Sequence, residues 1–508
     1  MESSRTKNSL RNIGFGMINR VVSILFPFIV RTIFIKTLGE EYLGLNSLYS
    51  SILQVLNLAD LGFASAIVAS MYKPIADNDV KKVSALMALY KKLYKVIGFC
   101  ILCVGLAITP FISVLISGEP PEDVNIYIVW LLYLANTVVS YLFFAYKVSV
   151  INAHQRSDIT EKIGAVCRIL FSILQIIVVA VFRNIYLYVF LTVINSIAYN
   201  LWCARECDKR YPQYVCSGEL DKATKSQITR NVGALALQKI GNTVSISLDS
   251  IIISAFLGLR IVAIYGNYYY IVSAVSTFIN LIYGAITASI GNSIATESLE
   301  KNYTDLKKFF FLNTWLIGWC SICFICLFQD FMSIWMGDKL LFGMGTIFCL
   351  VLRFYFEQIR KVILTYKDAA GLWWADKWRP IVGCLINLIL NIVMVKAIGV
   401  VGVMLSTVIS YALVEIPWET HALFKCYFDK SEFSYYRQLL TATISLVVSG
   451  VVTYKICTYI CFNHIVSLFI KGGVCAIVPN LIFLLLNIKN PECANGMKFV
   501  KKIIKSSY

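Results

Sequence analysis

Charge is what this 508-residue chain has least of. Asp, Glu, Lys and Arg make up 15% of it, against about 25% in ordinary soluble proteins. Hydrophobic residues fill 58% and the mean hydropathy is +0.71, which excludes a water-soluble globular class. Histidine is scarce as well: His154, His421 and His464 fall in separate loops or helix ends, so no histidine constellation for acid–base or metal chemistry is expected. A Gly-rich Lys/Ser phosphate loop is missing, which argues against ATP hydrolysis by this chain. Long strands of alternating polarity, the mark of a membrane barrel, are missing too. The polar start MESSRTKNSLRN leads into a long run carrying arginines. It lacks the short apolar region and small-residue cleavage site of a signal peptide, so no cleavage is expected.

What the chain does have is apolar runs of about 20 residues, each long enough to cross a hydrocarbon core about 30 Å thick. Fourteen are read, from 12–37 to 465–488, including 43–72, 124–150, 231–257, 341–366, 380–398 and 400–424. Backbone groups in lipid must bond within their own segment, so these are helices. The expected fold is an all-α polytopic membrane protein with about 14 transmembrane helices. The 16 cysteines mostly lie inside apolar runs, where cysteine behaves as a small hydrophobe. Cys320, Cys323 and Cys326 have metal-like spacing within one helix, and Cys203, Cys207 and Cys216 share a basic loop with no histidine. Both groups read as packing or chance, and no metal site is expected.

A net charge of +17 raises nucleic acid as a partner, but its distribution points to a membrane surface. With the N-terminus assigned to the cytoplasm, the inside segments hold 33 of the 46 Lys/Arg, the outside ones 7, and 6 lie deep in apolar runs. That is a strong positive-inside bias with both termini cytoplasmic, and no nucleic-acid partner is expected.

The chain reads as internally duplicated. FIKTLGEEYLGLNSLYSSILQVLNLADLGFASAIVASMYKPIA (Phe34–Ala76) is echoed by SAFLGLRIVAIYGNYYYIVSAVSTFINLIYGAITASIGNSIA (Ser254–Ala295). In both, Leu-Gly ends one span and Gly with Asn and Tyr opens the next. Six spans per copy is even, so the copies are parallel, related by an axis along the membrane normal. The expected organisation is a six-helix lobe over 1–205, a basic cytoplasmic linker over 206–230, a second six-helix lobe over 231–427, and two extra helices with a basic tail over 428–508. Two such lobes around a central cavity suit an alternating-access transporter.

Four helices carry polar faces. At 100° per residue Asn46, Ser50, Gln54, Asn57 and Asp60 fall within an arc of about 120°. Gly16, Arg20, Ser23, Pro27 and Arg31 share a narrower one. Asn231, Gln238, Lys239, Asn242, Ser245 and Asp249 align, as do Tyr269, Ser273, Thr277, Asn280, Gly284 and Thr287. The deep cations Arg20, Arg31, Lys147, Arg168, Lys239 and Arg353 outnumber the deep anions Asp60, Asp249, Glu357 and Glu415. Arg353 and Glu357, one turn apart, suit each other as a pair. The remainder makes a cationic cavity, and arginine forks match phosphate oxygens. Snorkelling of Arg31, Lys147 and Arg168, and structural pairs such as Arg20–Asp60 and Lys239–Asp249, are the plainer alternatives. Pro27 sits mid-span and is a hinge candidate, equally consistent with a static kink.

TLGEEYLGLNSLYSSILQVLNLADLGFASAI resembles the start of bacterial polysaccharide-biosynthesis membrane proteins, and VAIYGNYYYIVSAVSTF resembles the opening of their second half. These are the lipid-linked oligosaccharide flippases of the multidrug/oligosaccharidyl-lipid/polysaccharide exporter superfamily. The resemblance implies a bacterial cytoplasmic-membrane flippase that moves undecaprenyl-pyrophosphate-linked oligosaccharide repeat units from the inner to the outer leaflet, for capsule, O-antigen or exopolysaccharide assembly. The diphosphate would meet the cationic cavity and the lipid tail a side groove. It implies no cofactor, coupling to an H⁺ or Na⁺ gradient or to membrane potential, and a polysaccharide polymerase with assembly proteins as partners. On the residue faces, Arg20, Arg31, Lys239 and Arg353 would hold phosphate, Asp60 and Asp249 would position those cations or couple to an ion, and Gln54, Asn57, Asn242 and Asn280 would meet sugar hydroxyls. The rival functions are a multidrug exporter of the same superfamily, for which an acidic cavity is expected, and a membrane glycosyltransferase or polymerase, which needs a substantial outer loop.

Overall fold

The computed structural model describes residues 2–57, 63–222, 225–226, 228, 244 and 247–506. The chain forms two compact units, Met1–Gly266 and Asn267–Tyr508, and regular secondary structure among the described residues is helical throughout. Lipid explains this: a chain this poor in charge has no solvent partner for its peptide groups, so each segment satisfies its own.

The first unit contains α1 (Glu2–Thr37), α2 (Glu40–Leu56), α3 (Phe63–Ala76), α4 (Val80–Ile108), α5 (Ile126–Leu142), α6 (Ala145–Ala153), α7 (Ser157–Ile177) and α8 (Ile185–Arg210), then the short α9 (Ser247–Leu257). Residues that favour helix starts begin them. Asp79 accepts from the Lys82 amide, Asn125 from those of Tyr127 and Ile128, and Asn184 from that of Leu187, each satisfying amides the first turn leaves orphaned. α1 packs along α7, and α5 lies between α4 and α8. Tyr49 of α2 meets Trp130 and Tyr133 of α5 edge-on, with ring centroids 5.6 and 5.7 Å away, and donates to the Ile126 carbonyl at 2.9 Å.

α10 (Leu259–Thr296) begins in the first unit and continues into the second, which adds α11 (Leu299–Met336), α12 (Met344–Ile359), α13 (Lys361–Ala369), α14 (Arg379–Ser410), α15 (Ile416–Leu423), α16 (Phe433–Thr458), α17 (His464–Leu486) and α18 (Pro491–Ser506). α11 is the spine, with α12, α16, α17 and α18 packed on it. α14 is two helical segments broken at Ile398 and Gly399, where Gly399 has φ 63° and ψ −139°. The segments run antiparallel. Ser410 donates to the Gly383 carbonyl at 3.0 Å, Asn387 to Thr407 at 3.1 Å, and Ser406 to Asn391, so positions pair about the break. Gly402 makes the approach possible: a Cβ there would stand 2.2 Å from the Met394 carbonyl oxygen.

Among the described residues nine helices are long and apolar enough to cross a membrane, ten if the α5–α6 pair, bent by 48°, counts as one span. The chain is a multi-pass membrane protein. The difference from fourteen apolar runs has local causes. Runs 380–398 and 400–424 both lie within the broken helix Arg379–Phe428. Run 341–366 divides into α12 and α13 at Arg360, a residue drawn into a buried ion cluster. Run 43–72 comprises α2 and α3 with 58–62 outside the described residues, as is most of 231–257. α1 passes unbroken through Pro27, whose ring nitrogen has no hydrogen to offer the Ser23 carbonyl one turn back.

Candidate functional site

In the first unit the polar face of α2 is divided among partners. Asn46 accepts from the Tyr133 hydroxyl, and Asn57 from that of Tyr141 at 3.3 Å, both on α5. Gln54 is exposed and accepts from Ser247 of α9 at 3.2 Å. Two residues on, Asp249 is 0% exposed. Asp60, Lys239 and Asn242 lie outside the described residues.

Arg31 lies close to the backbone of Gly266: a Cβ at 266 would stand 2.7 Å from its Nη2 and 3.3 Å from the Ser47 hydroxyl. It is also within electrostatic reach of Tyr188 on α8. Glycine therefore leaves the room in which this half-buried cation sits. Arg20, eleven residues earlier on α1, is exposed. Lys147, read as a deep cation, is held by Asp208 at 2.5 Å.

Tyr141, the partner of Asn57, also lines a cavity of about 470 Å³ between α3, α4, α5, α6 and α8. Tyr90, Tyr94, Tyr141, Tyr199, Asn152 and Asn200 line it, with the Tyr90 hydroxyl 2.7 Å from that of Tyr94. Tyrosine rings beside amides offer apolar faces and hydrogen-bonding groups together, the surface a sugar requires. The sequence faces pointed to Asn57 but not to these tyrosines, which come from three different helices.

In the second unit Asn280 is exposed on α10. Arg353 is only 2% exposed, with its guanidinium 5.2 Å from the Tyr269 ring centroid. Glu357 accepts from Gln358 at 3.3 Å and is within electrostatic reach of Arg360. Arg360 anchors a buried ion cluster that sequence spacing did not reveal. It donates to Glu419 through Nε at 3.0 Å and to Glu415 at 2.6 Å. Arg379 bridges Glu415, Glu419 at 2.8 Å and Asp376 at 2.8 Å, and Lys367 also meets Asp376. Three buried cations face three buried anions, with the half-exposed Asp368 a further 3.7 Å from Lys367, so Glu415, read as one of the deep anions, is neutralised within this cluster.

The second unit also contains an open apolar groove of about 690 Å³ between α11, α12 and α16. Its lining runs along α16 from Leu439 to Lys455, about 24 Å at 1.5 Å per residue. Ile322, Phe348, Leu446 and Val447 form its walls, with few polar groups besides the Tyr355–Thr443 hydroxyl pair, 2.7 Å apart. Phe348 and Val447 are more than half exposed, so the groove opens sideways. Lys455 supplies an ammonium at one end.

Comparisons with solved structures identify the fold. The lipid II flippase MurJ, in an inward closed conformation, aligns with a TM-score of 0.69 at 14% identity, over 94% of this chain and 99% of that one. An inward-facing multidrug resistance MATE family transporter of the MOP superfamily aligns with a TM-score of 0.59 at 15% identity, over 80% and 97%. A Vibrio cholerae MATE transporter aligns at 0.57 and 15%, over 85% and 99%. No curated protein matches the chain by sequence. The family described as "Polysaccharide biosynthesis protein" matches residues 9–287, more than half of the chain. This protein belongs to the polysaccharide biosynthesis protein family.

Proposed function

We propose that this protein is a flippase that carries an oligosaccharide on an anionic polyprenyl carrier, undecaprenyl pyrophosphate, from the inner to the outer leaflet by alternating access. The observation that carries the reading is the sideways-open apolar groove along α16, with Lys455 at its end. A prenyl chain requires a long path free of hydrogen-bonding demands and open to the bilayer, and a drug-sized molecule does not. Family membership, from the match over residues 9–287, supports polysaccharide assembly as the setting. The diphosphate would be held by cations, foremost Arg31 and Arg20, and the sugars by the Tyr141–Asn57 region. The working membrane is the bacterial cytoplasmic membrane with both termini inside, and the driving force is an H⁺ or Na⁺ gradient or the membrane potential. A polymerase would use the delivered units, and the chain itself performs no bond-making chemistry.

The test is deletion and complementation in the native host. Deletion should abolish surface polysaccharide and leave lipid-linked repeat units on the cytoplasmic side. Wild type should restore export, whereas Arg31→Gln and the groove-filling Val447→Trp, inserted at normal levels, should restore a tenth or less. Unchanged export after deletion overturns the reading. Normally flipped but unpolymerised units would point to a polymerase.

A further inference from the structure

Three helices of the second unit bring cysteines together. The sulfurs of Cys326 on α11, Cys457 on α16 and Cys475 on α17 all lie within 4.8 Å of one another, and all three residues are buried. Cys323, one turn before Cys326, lies against Cys475. The surroundings are apolar, including Ile322, Leu327, Tyr454 and Val474. The frame is fixed: the Trp319 indole donates to the Cys475 carbonyl at 2.8 Å. One turn from Cys326 stands Asp330, and one turn from Cys475 stands Lys471, the two joined at 2.6 Å.

We propose that Cys326, Cys457 and Cys475, with Cys323 as a fourth donor, bind a thiophilic cation, Zn²⁺ or Cu⁺, that ties α16 and α17 to α11. A triangle with sides of at most 4.8 Å has its centre no more than about 2.8 Å from each corner, against the 2.3 Å of a zinc–thiolate bond. Each sulfur therefore has at most about half an ångström to move. Thiolates select these two ions over harder ones. The thiols lose their protons to the medium on binding the ion, and the resulting negative charge lies beside Lys471, which acts electrostatically on both Cys457 and Cys475. The two ions differ in what they ask of Cys323: a tetrahedral Zn²⁺ site uses it, whereas trigonal Cu⁺ needs only the other three. Ile322 and Tyr454 belong both to this cluster and to the groove wall, so the ion would also fix the shape of the groove.

The test uses the full chain purified in detergent with a phosphine reductant, loaded anaerobically with Zn²⁺ or Cu⁺ and desalted. Wild type should retain about one equivalent of one of these ions by elemental analysis. Loading should also slow alkylation of Cys457 and Cys475 at least tenfold by peptide mass spectrometry, a readout that needs no variant. Cys457→Ser and Cys475→Ser should retain less than a tenth, and Cys349→Ser, a buried cysteine elsewhere, should match wild type. Loss of Zn²⁺ retention in Cys323→Ser identifies zinc, and an unaffected Cu⁺ equivalent identifies copper. Retention below a tenth of an equivalent of both ions in wild type overturns the proposal. So does retention unchanged in both Ser variants.

Discussion

Substituting Glu419 by glutamine should destabilise the second unit by about 3–5 kcal/mol, the usual loss when one partner of a buried ion pair is removed. The structure explains why this site falls in that range. Glu419 is 0% exposed and accepts from Arg360 and from Arg379, the latter at 2.8 Å. Lys367, Arg360 and Arg379 are balanced by Asp376, Glu415 and Glu419. Glutamine keeps the shape but leaves three buried cations facing two buried anions, and turns an NH₂ toward guanidinium donors. At about 1.4 kcal/mol per decade the unfolding equilibrium shifts roughly 10²- to 10⁴-fold. The assay is reversible unfolding in mixed micelles titrated with a denaturing detergent, followed by far-ultraviolet circular dichroism. The double variant Glu419→Gln/Arg360→Gln restores neutrality and should lose less than the sum of the single losses by about 1–3 kcal/mol. A loss under about 1 kcal/mol for Glu419→Gln, or strict additivity in the double variant, refutes the account.

Three further outcomes follow from local geometry. Gly266→Ala places a Cβ 2.7 Å from the Arg31 guanidinium; that flexible tip can move, so unfolding should change by less than about 1 kcal/mol while polysaccharide export falls as it does for Arg31→Gln. Gly402→Ala places a Cβ 2.2 Å from the Met394 carbonyl oxygen, which is backbone and cannot yield, so monodisperse protein in gel filtration should drop at least several-fold; a normal yield would refute the tight hairpin. His154 stacks on Tyr211 with centroids 4.0 Å apart, and burial holds its imidazole below the ordinary value of 6.5. The unfolded chain takes up that proton first, so this stabilisation is complete above pH 6.5 and is lost as pH falls through the lowered value; a proton resonance titrating at or above 6.5 would contradict it.

Much of the fold was legible in the residues because lipid permits few alternatives. Apolar length alone implied helices, and the division of 380–398 from 400–424 coincides with the break at Ile398 and Gly399. Periodicity placed Asn46, Gln54 and Asn57 on one side of α2, and all three do find polar partners. Which partners they find was not legible. Tyr133 and Tyr141 lie more than 80 positions away, and helical spacing describes one helix, not its neighbour. The same limit concealed the ion cluster. Spacing pairs Arg353 with Glu357 four residues on, whereas Arg360 reaches Glu415 and Glu419 across 55 and 59 positions.

By itself, then, the sequence determined the solvent this protein folds in, its helical class and the resemblance to its family, since these depend on composition and short-range period. The tertiary structure decided which charges are neutralised, where a long apolar path opens along α16, and which cysteines meet. Spacing grouped Cys320, Cys323 and Cys326 on α11, yet Cys326 shares its site with Cys457 and Cys475 from other helices. Side chains three or four apart share a helix face by geometry, but a site built from several helices exists only once packing has fixed which faces touch.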